Sequence, residues 1–165
     1  MKVVFASDVH GNVDCLNKLL EICNKELPDR IIFLGDLYYG YSMSEEIEDT
    51  LSKFYNPIII RGNCDREIES YDFLDYYYCK LFDKMFFASH GHIYNISNYP
   101  DKDFDVMIYG HTHKGMILKD NNKIFLNPGS VSYPRGGSVN SFILIDDNGI
   151  YLKDLDNNII DSTTW

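Results

Sequence analysis

Three short apolar runs alternate with two amphipathic segments in the first third of the chain. The runs at residues 3–6, 30–34 and 57–61 are rich in β-branched and aromatic residues, and each ends at a polar turn. Residues 13–27 and 45–54, between them, carry apolar side chains at helical spacing. This alternation predicts right-handed crossovers and a mainly parallel sheet that packs against helices.

The second half of the chain has the pattern of antiparallel hairpins. Residues 76–81 are predicted to pair with 85–89, residues 116–119 with 123–126, and residues 141–145 with 150–153. Asn148-Gly149 in the last turn is among the strongest short-range hairpin signals. A further apolar strand is predicted at 105–109. The length of 165 residues indicates a single domain spanning 1–165.

Polar clusters follow five of the predicted strands, and together they contain all five histidines of the chain. Taken singly, a Gly-Asp turn is usually only a turn, and a lone histidine is more often a surface residue than a ligand. Because strands of an α/β sheet deliver their carboxyl ends to one edge, the clusters are expected to converge there. Their joint occurrence indicates a metal site. The clusters are Asp8 with His10, Asp36, Asn63 with Asp65, His90 with His92, and His111 with His113.

The donor types indicate which metals such a site binds. Carboxylate, amide oxygen and imidazole, without thiolate, suit Mn²⁺, Fe, Co, Ni or Zn²⁺, whereas a Ca²⁺ site would use oxygen almost alone. The set is too large for one ion, so we expect two divalent transition-metal ions, with manganese as the first choice. Asp36 lies centrally in the order of clusters and has no neighbouring imidazole, which makes it the expected bridging ligand.

The motifs resemble a known enzyme family. The blocks Asp8-Val9-His10, Gly35-Asp36, Gly62-Asn63-Cys64-Asp65, His90-Gly91-His92 and Gly110-His111-Thr112-His113 resemble, in order, the five signature blocks of the calcineurin-like metallophosphoesterases. Residues 5–12, 61–65 and 127–137 are similar to the small bacterial and archaeal phosphodiesterases of that family. The resemblance implies an α/β fold in which a two-sheet β-sandwich is flanked by helices in four layers, α/β/β/α.

The resemblance also implies a division of the ligands between two ions. Asp36 is shared, and the family pattern places His92 either at the rim of the pocket or behind the ligands. The first ion would be held by Asp8, His10, Asp36 and His113, and the second by Asp36, Asn63, His90 and His111.

Cys64 departs from the larger members of the family, many of which carry a histidine there that helps to protonate the leaving oxygen. A thiol cannot take that cationic role at neutral pH. Asn63, His92 and Cys64 are the candidate catalytic residues beside the metals. The alternative interpretation of Cys64 is a small hydrophobic residue that fills space behind them.

The implied activity is hydrolysis of small phosphodiesters through in-line attack by a metal-bridging hydroxide. The chain has neither a Gly-x-Ser-x-Gly elbow nor a Walker loop, so a covalent serine intermediate and a Walker-type phosphate site are not expected. A phosphomonoesterase and a nuclease stay open as alternative activities. A non-catalytic scaffold of the same fold is the alternative from another class, although such proteins have lost ligands that this chain retains.

Charge and cysteine content limit the partners. A net charge of −10 disfavours long nucleic acids, and no apolar run is long enough to predict a membrane span. The four cysteines form no Cys-x-x-Cys pair, which together with the lack of a signal-peptide pattern predicts free thiols and a cytoplasmic location. Tyrosines, which are enriched at protein interfaces, cluster at 38, 39 and 41 and at 76–78. Together with the resemblance to a branch whose members are often dimeric or larger, these clusters suggest a homo-oligomer, a dimer or larger.

Overall fold

A computed structural model describes residues 1–38, 45–65 and 72–165. Within these ranges the chain forms two helices and eleven strands. In chain order they are β1 (Lys2–Ala6), α1 (Val13–Glu26), β2 (Arg30–Phe33), α2 (Glu45–Ser52), β3 (Ile58–Ile59), β4 (Tyr76–Leu81), β5 (Lys84–Ser89), β6 (Val106–Tyr109), β7 (Gly115–Asp120), β8 (Lys123–Pro128), β9 (Ser141–Asp146), β10 (Ile150–Asp154) and β11 (Ile159–Thr163).

The first sheet has six strands in the order β11-β10-β9-β1-β2-β3. The pairs β1–β2 and β2–β3 are parallel, as the strand–helix alternation predicts. The pairs β1–β9, β9–β10 and β10–β11 are antiparallel, so the sheet is mixed rather than mainly parallel. The sequence pattern did not predict β11, whose residues are almost all exposed.

The second sheet has five strands in the order β4-β5-β6-β8-β7. The predicted hairpins β4–β5 and β7–β8 form its two sides, and β5, β6 and β8 are parallel to one another. The third predicted hairpin, β9–β10, joins the first sheet instead. The predicted strands are therefore divided between two mixed sheets.

The core between the sheets follows the two-residue period of the strands. In β1, Val3 and Phe5 pack in the cluster between the sheets, whereas Val4 and Ala6 pack in the cluster that contains the helices. All four side chains are fully buried. A strand buried on both faces has a continuous apolar sequence, which explains why β1 shows no polar alternation.

Helices cover only the outer face of the first sheet in the part of the chain that the structure describes. Buried residues of α1 and α2 belong to the same core cluster as that face. The outer face of the second sheet instead carries an aromatic cluster in which Phe87 of β5 packs with Phe104 and Tyr94 from the loop between β5 and β6. The predicted two-sheet α/β sandwich is confirmed, and in the described ranges these aromatic side chains cover the outer face of the second sheet.

Helix α1 begins and ends with recognisable caps. The Asn12 side chain accepts a hydrogen bond from the Cys15 amide at 3.0 Å, as expected of an N-cap residue. Leu27, which the helical spacing places in the apolar stripe, is 77% exposed. It adopts the left-handed conformation at the C-cap (φ 51°), and its amide donates to the Cys23 carbonyl at 2.8 Å. The helix therefore ends one residue before the apolar pattern does.

No helix in the described ranges is both long and apolar enough to cross a membrane.

Candidate metal centre

The seven predicted metal ligands all lie just beyond the carboxyl ends of strands. Three strands of the first sheet and two of the second deliver them, so the convergence occurs at the joint edge of two sheets rather than at the edge of one. The ligand candidates are Asp8 and His10 after β1, Asp36 after β2, Asn63 after β3, His90 after β5, and His111 and His113 after β6.

The backbone of five of these residues is left-handed. Positive φ is uncommon outside glycine and costs on the order of 1–3 kcal/mol per residue, so such residues cluster at sites where the surrounding structure enforces them. Backbone hydrogen bonds from Asp8 to the Gly35 carbonyl (3.0 Å) and from His10 to the Asp36 carbonyl (2.9 Å) join the loops. The five residues are Asp8, His10, Asp36, His111 and His113, with φ from 47° to 66°.

The first group of candidate ligands joins Asp8, His10 and His113. Oδ1 of Asp8 lies 3.3 Å from Nε2 of His113 and 3.7 Å from Nε2 of His10. The two Nε2 atoms are 3.3 Å apart. Two donors that bind one first-row ion at about 2.1 Å stand roughly 3.0–3.4 Å from each other, so this spacing fits an ion among the three groups.

The second group joins Asp36, Asn63, His90 and His111. Nε2 of His90 lies 3.1 Å from Oδ1 of Asn63 and 3.4 Å from Oδ2 of Asp36. The imidazole of His111 is edge-on to that of His90, with ring centroids 5.1 Å apart, and offers its nitrogen to the same group.

Asp36 lies between the two groups. Its Oδ2 atom is 3.7 Å from Nε2 of His10 in the first group and 3.4 Å from Nε2 of His90 in the second. Its Oδ1 atom accepts a hydrogen bond from the Cys64 amide at 2.8 Å. The Asp36 carboxylate therefore contacts both groups of candidate ligands.

Backbone carbonyls determine which ring nitrogen faces inward. Nδ1 of His90 donates to the Leu34 carbonyl at 2.8 Å, and Nδ1 of His113 donates to the Tyr133 carbonyl at 2.6 Å, because a carbonyl can only accept. In the neutral imidazoles, each Nε2 then presents a lone pair to a carboxylate or amide oxygen that also carries lone pairs. A cation between these acceptors removes the repulsion, and the same outward Nδ1 bond is typical of metal-binding histidines.

The pKa shifts of the candidate ligands have their main causes within the centre itself. Burial alone would raise the pKa of Asp8, but His10 and His113 outweigh burial and hold that pKa well below its ordinary value. The pKa of His90 is raised despite burial, since Asp36 stabilises the imidazolium. Asp8 likewise raises the pKa of His113. Asp8 and Asp36 therefore favour positive charge at the inward-facing edge of these imidazoles.

Cys64 lies beside Asp36 and keeps its proton. Burial, followed by the negative charge of Asp36, raises the pKa of the Cys64 thiol to about 11. The amide of Asn63 donates to Sγ at 3.4 Å. Cys64 is therefore neither a thiolate nor an acid at neutral pH, which agrees with its expected failure to replace the histidine of larger family members.

His92 lies at the exposed rim of the centre. Its ring centroid is 5.4 Å from that of His90 and 6.3 Å from that of His111. Burial and these two neighbouring imidazoles lower the pKa of His92, so it is neutral at pH 7. The structure thus brings Asn63 and Cys64 into the centre and leaves His92 at its edge.

Asp65 belongs to one of the predicted polar clusters and supports the site instead of facing it. Its Oδ2 atom accepts from the amides of Asp36 (2.7 Å) and Gly62 (2.8 Å), and its Oδ1 atom accepts from those of Leu37 (2.9 Å) and Tyr38 (3.2 Å). Burial raises the pKa of Asp65, while the amides oppose that shift. A carboxylate that accepts four amides holds the loops after β2 and β3 together.

The segment of residues 130–135 is a part of the site whose role the sequence motif alone does not predict. Ser132 donates from Oγ to the Val9 carbonyl at 2.6 Å, and Ser130 donates from Oγ to the Asp8 carbonyl at 2.7 Å. The Tyr133 ring lies edge-on to His10 at 5.9 Å between centroids. The sequence motif at residues 127–137 includes this segment. Its role becomes clear only from the contacts with Asp8, Val9 and His10.

Two glycines allow the loops of the site to approach closely. A Cβ atom on Gly62 would overlap the Asp36 carboxylate, and one on Gly110 would overlap Ser7 Oγ and lie 2.9 Å from Oδ2 of Asp8. Neither position accepts a side chain without displacing a candidate ligand.

Comparison with known proteins places these features in a family. The family model described as the calcineurin-like phosphoesterase superfamily domain matches residues 1–148. The chain is 31% identical over 163 residues to phosphodiesterase YfcE of Escherichia coli K12, covering 90% of this chain and 89% of the relative. It is 28% identical to phosphodiesterase MJ0936 of Methanocaldococcus jannaschii, covering 78% of this chain and 83% of the relative.

Solved structures agree with these similarities. The structure of YfcE, described as a phosphoesterase from E. coli, superposes with a TM-score of 0.87 at 28% identity and covers 99% of both chains. Zinc-bound Vps29 from Entamoeba histolytica has the same fold, with a TM-score of 0.69 at 23% identity, covering 100% of this chain and 98% of Vps29.

Proposed function

Since the chain belongs to the calcineurin-like phosphoesterase superfamily, we propose that it is a phosphodiesterase that hydrolyses small phosphodiesters at a centre of two divalent metal ions. The observation that carries this proposal is the position of Asp36 between two groups of inward-facing imidazoles and oxygens. Lone pairs that face one another in this way need cations, and the two groups are linked by one carboxylate.

The proposed ligand sets follow the two groups. Asp8, His10, Asp36 and His113 would hold one ion, and Asp36, Asn63, His90 and His111 would hold the other. Imidazole, carboxylate and amide ligands suit Mn²⁺, Fe, Co, Ni or Zn²⁺, and the predominance of nitrogen and oxygen leads us to propose manganese first.

The chain's own residues hold and orient the substrate in this proposal. When bound, the ions would neutralise the phosphoryl oxygens and lower the pKa of a coordinated water, which is the established contribution of paired metal ions to phosphoester hydrolysis. Asn63 orients the phosphoryl group beside His90. His92, which is neutral at pH 7, donates a hydrogen bond to the substrate at the rim. Because Cys64 keeps its proton, no strong protein acid protonates the departing oxygen. Water attacks in line with the departing oxygen.

Residues 1–165 act as one catalytic domain in this proposal, because both sheets contribute side chains to the centre. Small substrates are favoured, since a net charge of −10 repels long nucleic acids. The alternative of a non-catalytic scaffold draws on the fold shared with Vps29, but the ligand candidates in this chain lie in groups suited to metal binding.

Location and assembly are further parts of the proposal. All four cysteines are free thiols, which is typical of a reducing cytoplasm. A homo-oligomer has weaker support, because Tyr38 is buried and Tyr78 donates to the Asp103 carbonyl within the chain. Tyr76 is 39% exposed, while Tyr39 and Tyr41 lie outside the described residues. Light scattering at micromolar concentration tests this part, and a monomer mass would reject it.

A metal-reconstitution experiment tests the activity. The protein is stripped with a chelator and then titrated with Mn²⁺, Fe²⁺, Co²⁺, Ni²⁺ or Zn²⁺, while hydrolysis of bis(p-nitrophenyl) phosphate and p-nitrophenyl phosphate is followed. We expect no activity without metal, restoration by Mn²⁺ at two ions per chain, and preference for the diester. Failure of every metal to bind or to restore hydrolysis would reject the proposal, and preference for the monoester would favour a phosphomonoesterase.

A further inference from the structure

The cleft next to the first group of candidate ligands has a cationic wall. It has a volume of about 530 Å³ and is lined by His10, His113, Ser132, Tyr133, Pro134 and Arg135. Arg135 is exposed, and in the described ranges it has no carboxylate within ion-pair distance. A cation without an acidic partner is unexpected here, because the whole chain carries a net charge of −10.

Arg135 is held close to the centre by its backbone. Its amide donates to the His113 carbonyl at 3.0 Å. Two residues earlier, the Tyr133 carbonyl accepts from Nδ1 of His113 at 2.6 Å, and Ser132 Oγ donates to the Val9 carbonyl at 2.6 Å. These bonds join the segment to the loops that carry Asp8, His10 and His113. The backbone of Arg135 is therefore fixed in the wall of the cleft.

Lys114 adds a second cation at the same side. It is exposed and follows His113 directly. A Cβ atom added to Gly136 would lie 2.7 Å from Cε and 3.4 Å from Nζ of Lys114, so the lysine side chain runs over the residue that follows Arg135. The Lys114 ammonium thus lies beside the segment that carries Arg135, next to the residues that line the cleft.

A phosphodiester has a single negative charge, and the two proposed metal ions already neutralise it. The guanidinium and the ammonium are then free to bind a further anionic group on the substrate. Arg is suited to this because its planar fork binds carboxylate and phosphate through two parallel hydrogen bonds.

We propose that Arg135, assisted by Lys114, forms a subsite for the ester arm that is retained on the phosphorus, and that this subsite selects arms with an additional carboxylate or phosphate. The inference rests on the proposed phosphodiesterase function and names the substrate class of that same centre. The preferred substrates are small diesters with at least two negative charges.

The test compares diesters with the same leaving group. p-Nitrophenyl propyl phosphate, p-nitrophenyl 2-carboxyethyl phosphate and the diester with a terminal phosphate on a propyl arm all release p-nitrophenolate, so only the charge of the retained arm changes. We expect kcat/KM to be roughly tenfold higher for the anionic arms than for the propyl arm, and this preference to weaken as ionic strength rises. The carboxylate and phosphate arms show which anion the subsite prefers.

Variants assign the preference to the cleft. Arg135→Gln should bring the ratio of kcat/KM between anionic and neutral arms close to 1, and Lys114→Gln should lower it partially. Lys80→Gln is the matched control: it removes one positive charge at an exposed hairpin, where Lys80 pairs with Asp83 at 3.1 Å, and should leave the ratio as it is.

Two outcomes would overturn the inference. They are a wild-type enzyme without preference for anionic arms and an Arg135→Gln variant that keeps the preference. If that variant also loses kcat/KM by the same factor for all arms, Arg135 binds the reacting phosphoryl group instead. Absence of hydrolysis of all three diesters by the metal-loaded wild type would instead reject the proposed function, so the two failures are distinguishable.

Discussion

The carboxylate of Asp65 holds the backbone of Asp36, whose amide donates to Oδ2 of Asp65 at 2.7 Å. This bond fixes a left-handed residue (φ 51°) whose carboxylate lies between the two groups of candidate ligands. A buried acid that faces away from the centre therefore positions the acid that faces it.

Asp65→Asn tests this support. An amide nitrogen in place of one carboxylate oxygen would face amide donors, leaving buried groups unsatisfied at a cost of about 2 kcal/mol. Urea unfolding should show this loss, and metal titration should show weaker binding although no candidate ligand is changed. Asp83→Asn, at a side chain that is 97% exposed, is the control and should change neither quantity. Wild-type stability and metal affinity in Asp65→Asn would contradict the supporting role.

Asp36→Asn should be the most damaging conservative change to the centre. The amide keeps the size of the side chain but loses the charge shared by both groups, so both ions should bind more weakly and kcat/KM should fall by more than about a hundredfold. Metal analysis after gel filtration, together with diester hydrolysis, measures both effects. A variant that retains two ions and full activity would show that Asp36 does not bridge them.

Cys64 provides a prediction on the leaving group. Because its thiol has a pKa of about 11 and donates no proton readily, kcat/KM should depend steeply on the leaving group, being high for aryl esters and low for alkyl esters. Cys64→Ala should change kcat/KM for aryl esters by less than about threefold, or under about 0.7 kcal/mol. Cys64→His should shift preference towards poorer leaving groups if the ring fits. Collapse of Cys64→Ala with both metals bound would reveal a direct role for the thiol.

Glu26 should make stability depend on acidic pH. Hydrogen bonds from Lys2 (2.8 Å) and Asn157 (3.0 Å), with a further one from Lys153 (3.2 Å), lower the pKa of Glu26 to about 2 from an ordinary value of 4.5. A lowered folded-state pKa means that the ionised carboxylate stabilises the fold above pH 4.5 and that this contribution disappears as the pH falls towards 2.

Glu26→Gln should therefore lower the free energy of unfolding by about 1–2 kcal/mol at neutral pH, a value reduced for the water that still reaches the side chain. The difference from wild type should shrink by roughly half at about pH 3. Urea unfolding across this range measures it, with Glu21→Gln on the exposed face of α1 as the control. A difference between wild type and Glu26→Gln that is independent of pH would assign the effect to packing instead of charge.

Local sequence was enough to predict most strands and the order of the polar clusters. Continuous apolar runs predict strands buried on both faces, as Val3, Val4 and Phe5 confirm, and the polar turns after them contain the residues that the structure brings together. These features follow from side-chain type and period, which act within a few residues along the chain.

Tertiary structure decided the remaining features, because they depend on contacts between distant segments. The strand pattern predicts that the polar clusters converge at the edge of one sheet, whereas His10 and His113, 103 residues apart, meet where two sheets adjoin. Backbone carbonyls of Leu34 and Tyr133 select the ring nitrogens that face the centre, and no local pattern specifies such partners. The end of α1 at Glu26, the aromatic cover of the second sheet and the cleft at Arg135 likewise depend on packing, since only a folded chain determines which surface a residue faces.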